Sequence, residues 1–145
     1  MSAPLAGLGT VFQMAYCPRD FDAAIRYWTE TMGVGPFFLR GPLQFPGTLY
    51  RGAPTDVSFS IAIAYWGDVQ IELIRAENDE PGIYTGAYAV TDRLHHICIF
   101  VDSIEDARAA VAAAGAEVLV EGTVGADGAV MYVDPGAGPG HVIEL

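Results

Sequence analysis

The chain has 145 residues, 52% hydrophobic and 17% charged, a composition that suits one well-buried domain and not a disordered segment. It carries 18 Asp and Glu against 7 Lys and Arg, for a formal charge of −11. Such a surface repels phosphate backbones and anionic membranes, which argues against nucleic acid as a partner.

No apolar run approaches the roughly 20 residues of a membrane helix. Residues 1–9 lack the basic start of a secretory leader. The two cysteines, Cys17 and Cys98, are far apart and lack the spacing of a zinc motif. Reduced thiols in a cytoplasmic protein are the expectation.

In chain order, residues 11–17 read as a buried strand ended by Pro18. Asp20 caps a helix in which Phe21, Ile25 and Trp28 share one face, and Gly33 closes it. A short strand is expected at 37–40. The Pro- and Gly-rich stretch 41–56 reads as a long loop or edge segment. Strands at 58–65 and 69–75 turn on Trp66-Gly67-Asp68. Residues 77–92 read as a linker with a short helix. The order then recurs: strand 94–101, helix 103–114, Gly115 as its cap, and strands at 117–121, 129–133 and 141–145.

Overlaying the halves sets Gln13 on His96, each nine residues before an acidic residue of its helix (Asp22, Glu105). Val69-Gln70-Ile71-Glu72-Leu73 likewise falls on His141-Val142-Ile143-Glu144-Leu145. Two copies of β-α-β-β-β, residues 9–76 and 94–145 of a single domain spanning 1–145, account for this with longer loops in the first. The fold class is therefore α+β, with two tandem βαβββ modules forming a curved mixed sheet around a cleft.

The repeat singles out Gln13 and His96 on the first strands and Glu72 and Glu144 on the last. Strand alternation gives His96 the facing of Cys98 and the opposite facing to His95. If the copies pair about a pseudo-twofold axis, the four side chains converge. Two buried carboxylates are costly without compensation, and one divalent cation compensates both. Three oxygen donors and an imidazole suit zinc, nickel, cobalt, manganese or magnesium. Gln13 reads either as a ligand or as a hydrogen-bonding neighbour of the metal. Aromatics in or near irregular segments, Tyr50 and Tyr84 with Phe59, are candidates to line a substrate pocket. Cys17 and Cys98 are candidates for small apolar lining.

Val11-Phe12-Gln13-Met14-Ala15 with Asp20-Phe21-Asp22-Ala23-Ala24, then Ile71-Glu72-Leu73, His95-His96-Ile97 and Ile143-Glu144-Leu145, resemble the motifs of the vicinal oxygen chelate superfamily. This is the group of glyoxalase I, methylmalonyl-CoA epimerase, extradiol dioxygenases and bleomycin-resistance proteins. The resemblance implies metal ligands at Gln13, Glu72, His96 and Glu144, with Glu144 and Glu72 as proton carriers. It further implies a small-molecule carbonyl substrate and a homodimer. Extradiol dioxygenases hold iron with two His and one carboxylate, and one of those His positions is Gln13 here. Glyoxalase I binds glutathione through an Arg and an Asn whose positions are Cys17 and Ala76 here. The expected function is therefore a glutathione-independent isomerase, epimerase or lyase acting through a metal-stabilised enolate. The alternative is a metal-free binding protein of the bleomycin-resistance type.

Overall fold

The computed structural model describes residues 4–145; the segment read above as lacking a leader begins outside them, at residues 1–3. One ten-stranded sheet runs in the order β2-β5-β6-β1-β7-β10-β9-β8-β3-β4. The strands are β1 Val11–Tyr16, β2 Phe38–Leu43, β3 Leu49–Tyr50, β4 Ala53–Pro54, β5 Phe59–Trp66, β6 Val69–Ala76, β7 Leu94–Ile99, β8 Glu117–Val124, β9 Gly128–Asp134 and β10 Val142–Glu144. The helices are α1 Phe21–Arg26, continued by a wide helical turn Tyr27–Thr31, and α2 Ile104–Ala114. The first module is β1-α1-β2-β5-β6 and the second β7-α2-β8-β9-β10, joined by the antiparallel pair β1–β7.

Both helices start where the chain offers a side-chain acceptor to an unpaired amide. Asp20 accepts from the Ala23 amide at 2.9 Å, and Ser103 accepts from the Asp106 amide at 3.2 Å. Gly115 ends α2 at φ 69°, a left-handed conformation that costs a residue without Cβ little.

Alternation along the strands divides the core into two layers. Ile71 and Leu73 of β6, with Ala62 and Ala64 of β5, face Phe21 of α1. Ile99, Met131 and Val133 face Ala107 and Val111 of α2. The opposite face of the sheet carries Ala15, Ile61 and Ile74 in one half, and Leu119, Val120 and Val142 in the other. That inner face bounds the cleft.

The register shows the twofold relation directly. Gln13 pairs with Cys98 and Ala15 with His96 across β1 and β7. Glu72 lies beside Ala15, and Glu144 lies beside Cys98. Exchanging Gln13 for His96, Ala15 for Cys98 and Glu72 for Glu144 turns each pairing into another member of the same set. The axis therefore passes between β1 and β7.

Several boundaries differ from the sequence reading. The expected loop 41–56 contains the end of β2 and the two-residue strands β3 and β4. The β3–β4 hairpin leaves the first module and adds itself to the edge of β8 in the second, Leu49 opposite Glu121 and Tyr50 opposite Val120. Main-chain pairing of Arg51 N to Leu119 O (2.7 Å) and the double Arg51–Glu117 contact (2.7 and 3.0 Å) hold it there. Gly41 permits this excursion, since a Cβ at that position would collide with Ser60 of β5. The expected helix in 77–92 is a single 3-10 turn, Gly86–Tyr88. Its Tyr88 hydroxyl donates to Asp134 Oδ2 at 2.6 Å, while Asp134 Oδ1 accepts the amides of Gly136, Ala137 and Gly138. The linker is thus fastened to the turn that leads into β10.

Candidate active site

The cleft floor is made by the middle of the sheet, where β6, β1, β7 and β10 lie side by side. From it His96 Nε2 faces Glu144 Oε2 at 3.2 Å and Glu72 Oε1 at 3.8 Å. His96 is fully buried and Glu72 is 9% exposed. Three of the four sequence candidates thus meet, from distant parts of the chain brought together by strand register alone.

Gln13 lies on the same face, opposite Cys98. Its amide Nε2 donates to Gln70 Oε1 at 2.5 Å, while its own Oε1 is buried without a hydrogen-bond partner. Its nitrogen is thus committed to a neighbouring strand, and its oxygen is free to accept or to ligate.

His95 departs from the sequence expectation. A regular strand would send it to the face opposite His96, yet their Nδ1 atoms are 2.9 Å apart. The cause is a register shift at this point: Ala15 is opposite His96 while Tyr16 is opposite Leu94, which leaves His95 as the extra residue of a bulge. Bulges re-aim side chains, and this one turns His95 toward its neighbour.

The contact fixes the proton positions. His95 Nε2 lies 2.8 Å from the carbonyl of Ile83, which can only accept, so His95 Nε2 carries hydrogen. Burial first and the neighbouring His96 second push the His95 imidazole down to about 4, so it is neutral and its Nδ1 is an acceptor. His96 must then donate from its own Nδ1. Its Nε2 makes no hydrogen bond and presents a lone pair to the two carboxylates.

Lone pair and carboxylate oxygens repel unless a proton or a cation lies among them. Burial first and Glu144 second push the Glu72 carboxyl up to about 8. Among the described residues no group of three or more His, Cys, Asp and Glu stands as a ready-made metal shell. The donor set nevertheless fits a divalent ion: an imidazole lone pair without a partner, two carboxylates and an orphaned amide oxygen. Glu72, His96 and Glu144 could hold one, with Gln13 Oε1 as a fourth donor.

Above the floor is a cavity of about 180 Å³. Tyr50, Phe59 and Tyr84 line it, as do Glu72 and Glu144. Cys17 and Cys98 do not belong to its wall. Cys17 packs against the Ala15, Ile61 and Ile74 cluster, and burial and then Glu72 push its thiol up to about 12. Cys98 is buried beside Glu144 in the register and its thiol is likewise raised, by burial before charge. Neither is a thiolate nucleophile in this setting.

Sequence reasoning missed most of the wall. Leu43, Phe45, Thr48 and Thr55 come from the excursion around β3 and β4, and Val120, Gly122 and Val124 come from β8. Tyr132 was missed as well. It pairs with Glu144, and its ring centroid lies 5.2 Å from that of His96, edge-on. Its alternation with Met131 and Val133 was a usable signal. Burial, then the carboxylates, hold the Tyr84 and Tyr132 hydroxyls well above their usual range, and the two hydroxyls interact. Aromatic contacts run from Phe45 through Phe59 and Tyr84 to His95, in steps of 5.3 to 6.0 Å.

Comparisons with known proteins agree with this architecture. No curated protein matches the chain. A hypothetical protein of Bacillus halodurans C-125 superposes with TM-score 0.59 at 19% identity, covering 93% of this chain and 91% of its own. Methylmalonyl-CoA epimerase of Mycobacterium tuberculosis superposes with TM-score 0.61 at 11% identity, covering 100% and 90%. A variant of 4-hydroxymandelate synthase of Streptomyces coelicolor gives TM-score 0.63 at 14% identity, over 93% of this chain and 38% of that one. At these identities the likeness is one of fold. The sequence profile of the Glyoxalase/Bleomycin resistance protein/Dioxygenase superfamily matches residues 12–133, and the chain belongs to that superfamily.

Proposed function

We propose that the protein is a divalent-metal-dependent isomerase, epimerase or lyase that moves a proton next to a carbonyl group, independently of glutathione. The observation that carries the reading is the His96 Nε2 lone pair facing Glu144 and Glu72 at the base of an apolar cavity. Epimerases among the structural neighbours support the reaction class.

His96, Glu72 and Glu144 hold the cation, with Gln13 beside them. When bound, a divalent ion supplies Lewis-acid polarisation of a carbonyl oxygen and charge stabilisation for the enolate. The chain's own residues do the rest. Glu144 takes the proton from the carbon next to the carbonyl. Glu72, which burial and Glu144 hold protonated in the metal-free protein, is the partner that returns one. Phe59, Tyr84 and Tyr132 keep water from the reacting carbon. Cys17 and Ala76, at the positions where glyoxalase I carries its glutathione Arg and Asn, supply no polar grip on that peptide.

The test is elemental analysis of the purified protein together with solvent deuterium exchange into candidate carbonyl compounds. The reading requires stoichiometric metal, or activity restored by added ion, and exchange lost in Glu144→Gln. Retention of exchange in Glu144→Gln removes the proposed base. A second reading, a metal-free ligand-binding protein, is favoured by the apolar cavity and by the lack of a ready-made shell among the described residues. Ligand binding with no bound metal and no exchange establishes it instead.

A further inference from the structure

The charges around the cavity are all of one sign, which bears on what can enter it. The inference rests on the cleft being the ligand site and deepens the reading above. Among the described residues, the carboxylates on the wall are Glu72 and Glu144, both at the floor. The chain contains no lysine, and among the described residues none of its arginines lines the cavity. Four are occupied elsewhere by acidic partners: Arg51 with Glu117, Arg75 with Glu77, Arg19 with Asp92 and Arg108 with Glu121.

The threonine hydroxyls of the wall's loop side are also spent. The Thr48 hydroxyl donates to the Phe45 carbonyl at 2.6 Å, and the Thr55 hydroxyl donates to the Pro81 carbonyl at 2.5 Å. What faces a ligand is therefore negative at the floor and mostly apolar at the sides. An anion entering this space loses hydration and gains only repulsion from the wall. The volume sets the size: about 180 Å³, against the roughly 150 Å³ cavity that holds a benzene ring.

We propose that the site takes an uncharged compound built on a single ring with two adjacent oxygens. A carboxylate, a peptide thiol or a coenzyme A ester is not its ligand. The ring lies among Phe59, Tyr84 and Tyr132, and the oxygens point to the floor.

The experiment compares three probes on the metal-free and the zinc-loaded protein by calorimetry: 2-hydroxy-1-phenylethanone, mandelate and acetyl-CoA. The first two share one ring and adjacent oxygens and differ in charge. The neutral ketone is expected to bind at least about tenfold more tightly than mandelate to the metal-free protein, with the gap narrowing as salt rises. Acetyl-CoA is expected not to compete. Val124→Arg, or Thr123→Arg should the first fold poorly, places a cation on the wall. Either is expected to improve mandelate binding several-fold and leave the ketone unchanged. Equal or tighter binding of mandelate, or displacement of the ketone by acetyl-CoA, overturns the proposal. Tight binding of the ketone without exchange of its hydrogens in deuterated water upholds it and removes the proton-transfer reading.

Discussion

His95 Nδ1 accepts a hydrogen bond from His96 Nδ1 at 2.9 Å, while His95 Nε2 is tied to the Ile83 carbonyl at 2.8 Å. Two adjacent residues of one strand thus form a relay that aims one lone pair at the cleft. The relay predicts the His96 tautomer. Nitrogen chemical shifts of the metal-free protein should show His96 protonated at Nδ1 and bare at Nε2. A hydrogen on Nε2 would contradict the assignment.

The same relay makes His95 an orienting group for a metal ligand. Loss of such a partner typically costs about 10–100-fold in metal affinity. His95→Phe should therefore weaken zinc binding by about that factor. His95→Gln, whose amide oxygen can accept in place of Nδ1, should recover part of it. Equal affinities in wild type and His95→Phe would remove the role.

Glu72 predicts an unusual pH dependence of stability. Its carboxyl titrates near 4.5 in the unfolded chain and about 8 in the metal-free fold. Between these values the folded state binds more protons than the unfolded one, so stability falls as pH rises. The loss across the window is roughly 2–4 kcal/mol, since a tenfold change in proton affinity between the two states is worth about 1.4 kcal/mol. Melting temperatures of metal-free protein at successive pH values should decline over that range, and Glu72→Gln should flatten the slope. An equal slope in the variant would place its origin elsewhere.

Metal binding should reverse that effect. A cation at the floor favours ionised Glu72, so binding at neutral pH should release protons. Titration calorimetry in two buffers of different ionisation enthalpy reads the number directly. Release near zero would mean that Glu72 takes no part.

Fold and site should separate under mutation. Leu73, next to Glu72 in sequence, is fully buried on the helix-facing side with Phe21 and Ile71. Leu73→Ala should cost about 3 kcal/mol in chemical denaturation without altering metal stoichiometry in the folded fraction. Glu144→Gln should do the reverse. A loss of metal in folded Leu73→Ala would show that the two layers are coupled.

The elements that sequence made legible are those with strong periodic signals. The strands bearing Gln13, Glu72, His96 and Glu144 alternate or run apolar, and both helices announce themselves by Asp20 and Ser103. The overlay of Gln13 on His96 and Glu72 on Glu144 reappears in the sheet register because one offset per strand preserves pairing. The β3–β4 hairpin was not legible: each strand has two residues and exists because the edge of β8 is there to receive it. The bulge at His95 was equally hidden, since a one-residue slip leaves no mark on hydrophobic pattern. Much of the cavity wall followed from that hairpin and so was lost with it.

The match between the halves is imperfect at the place where it matters most: His96 answers to Gln13. A vessel assembled from two equal parts would treat either side of a flat intermediate alike. Here one side has an imidazole and the other an amide already bound to Gln70, so Glu72 and Glu144 occupy unequal stations. Handedness in the product is thereby written into a single break in an otherwise duplicated blueprint.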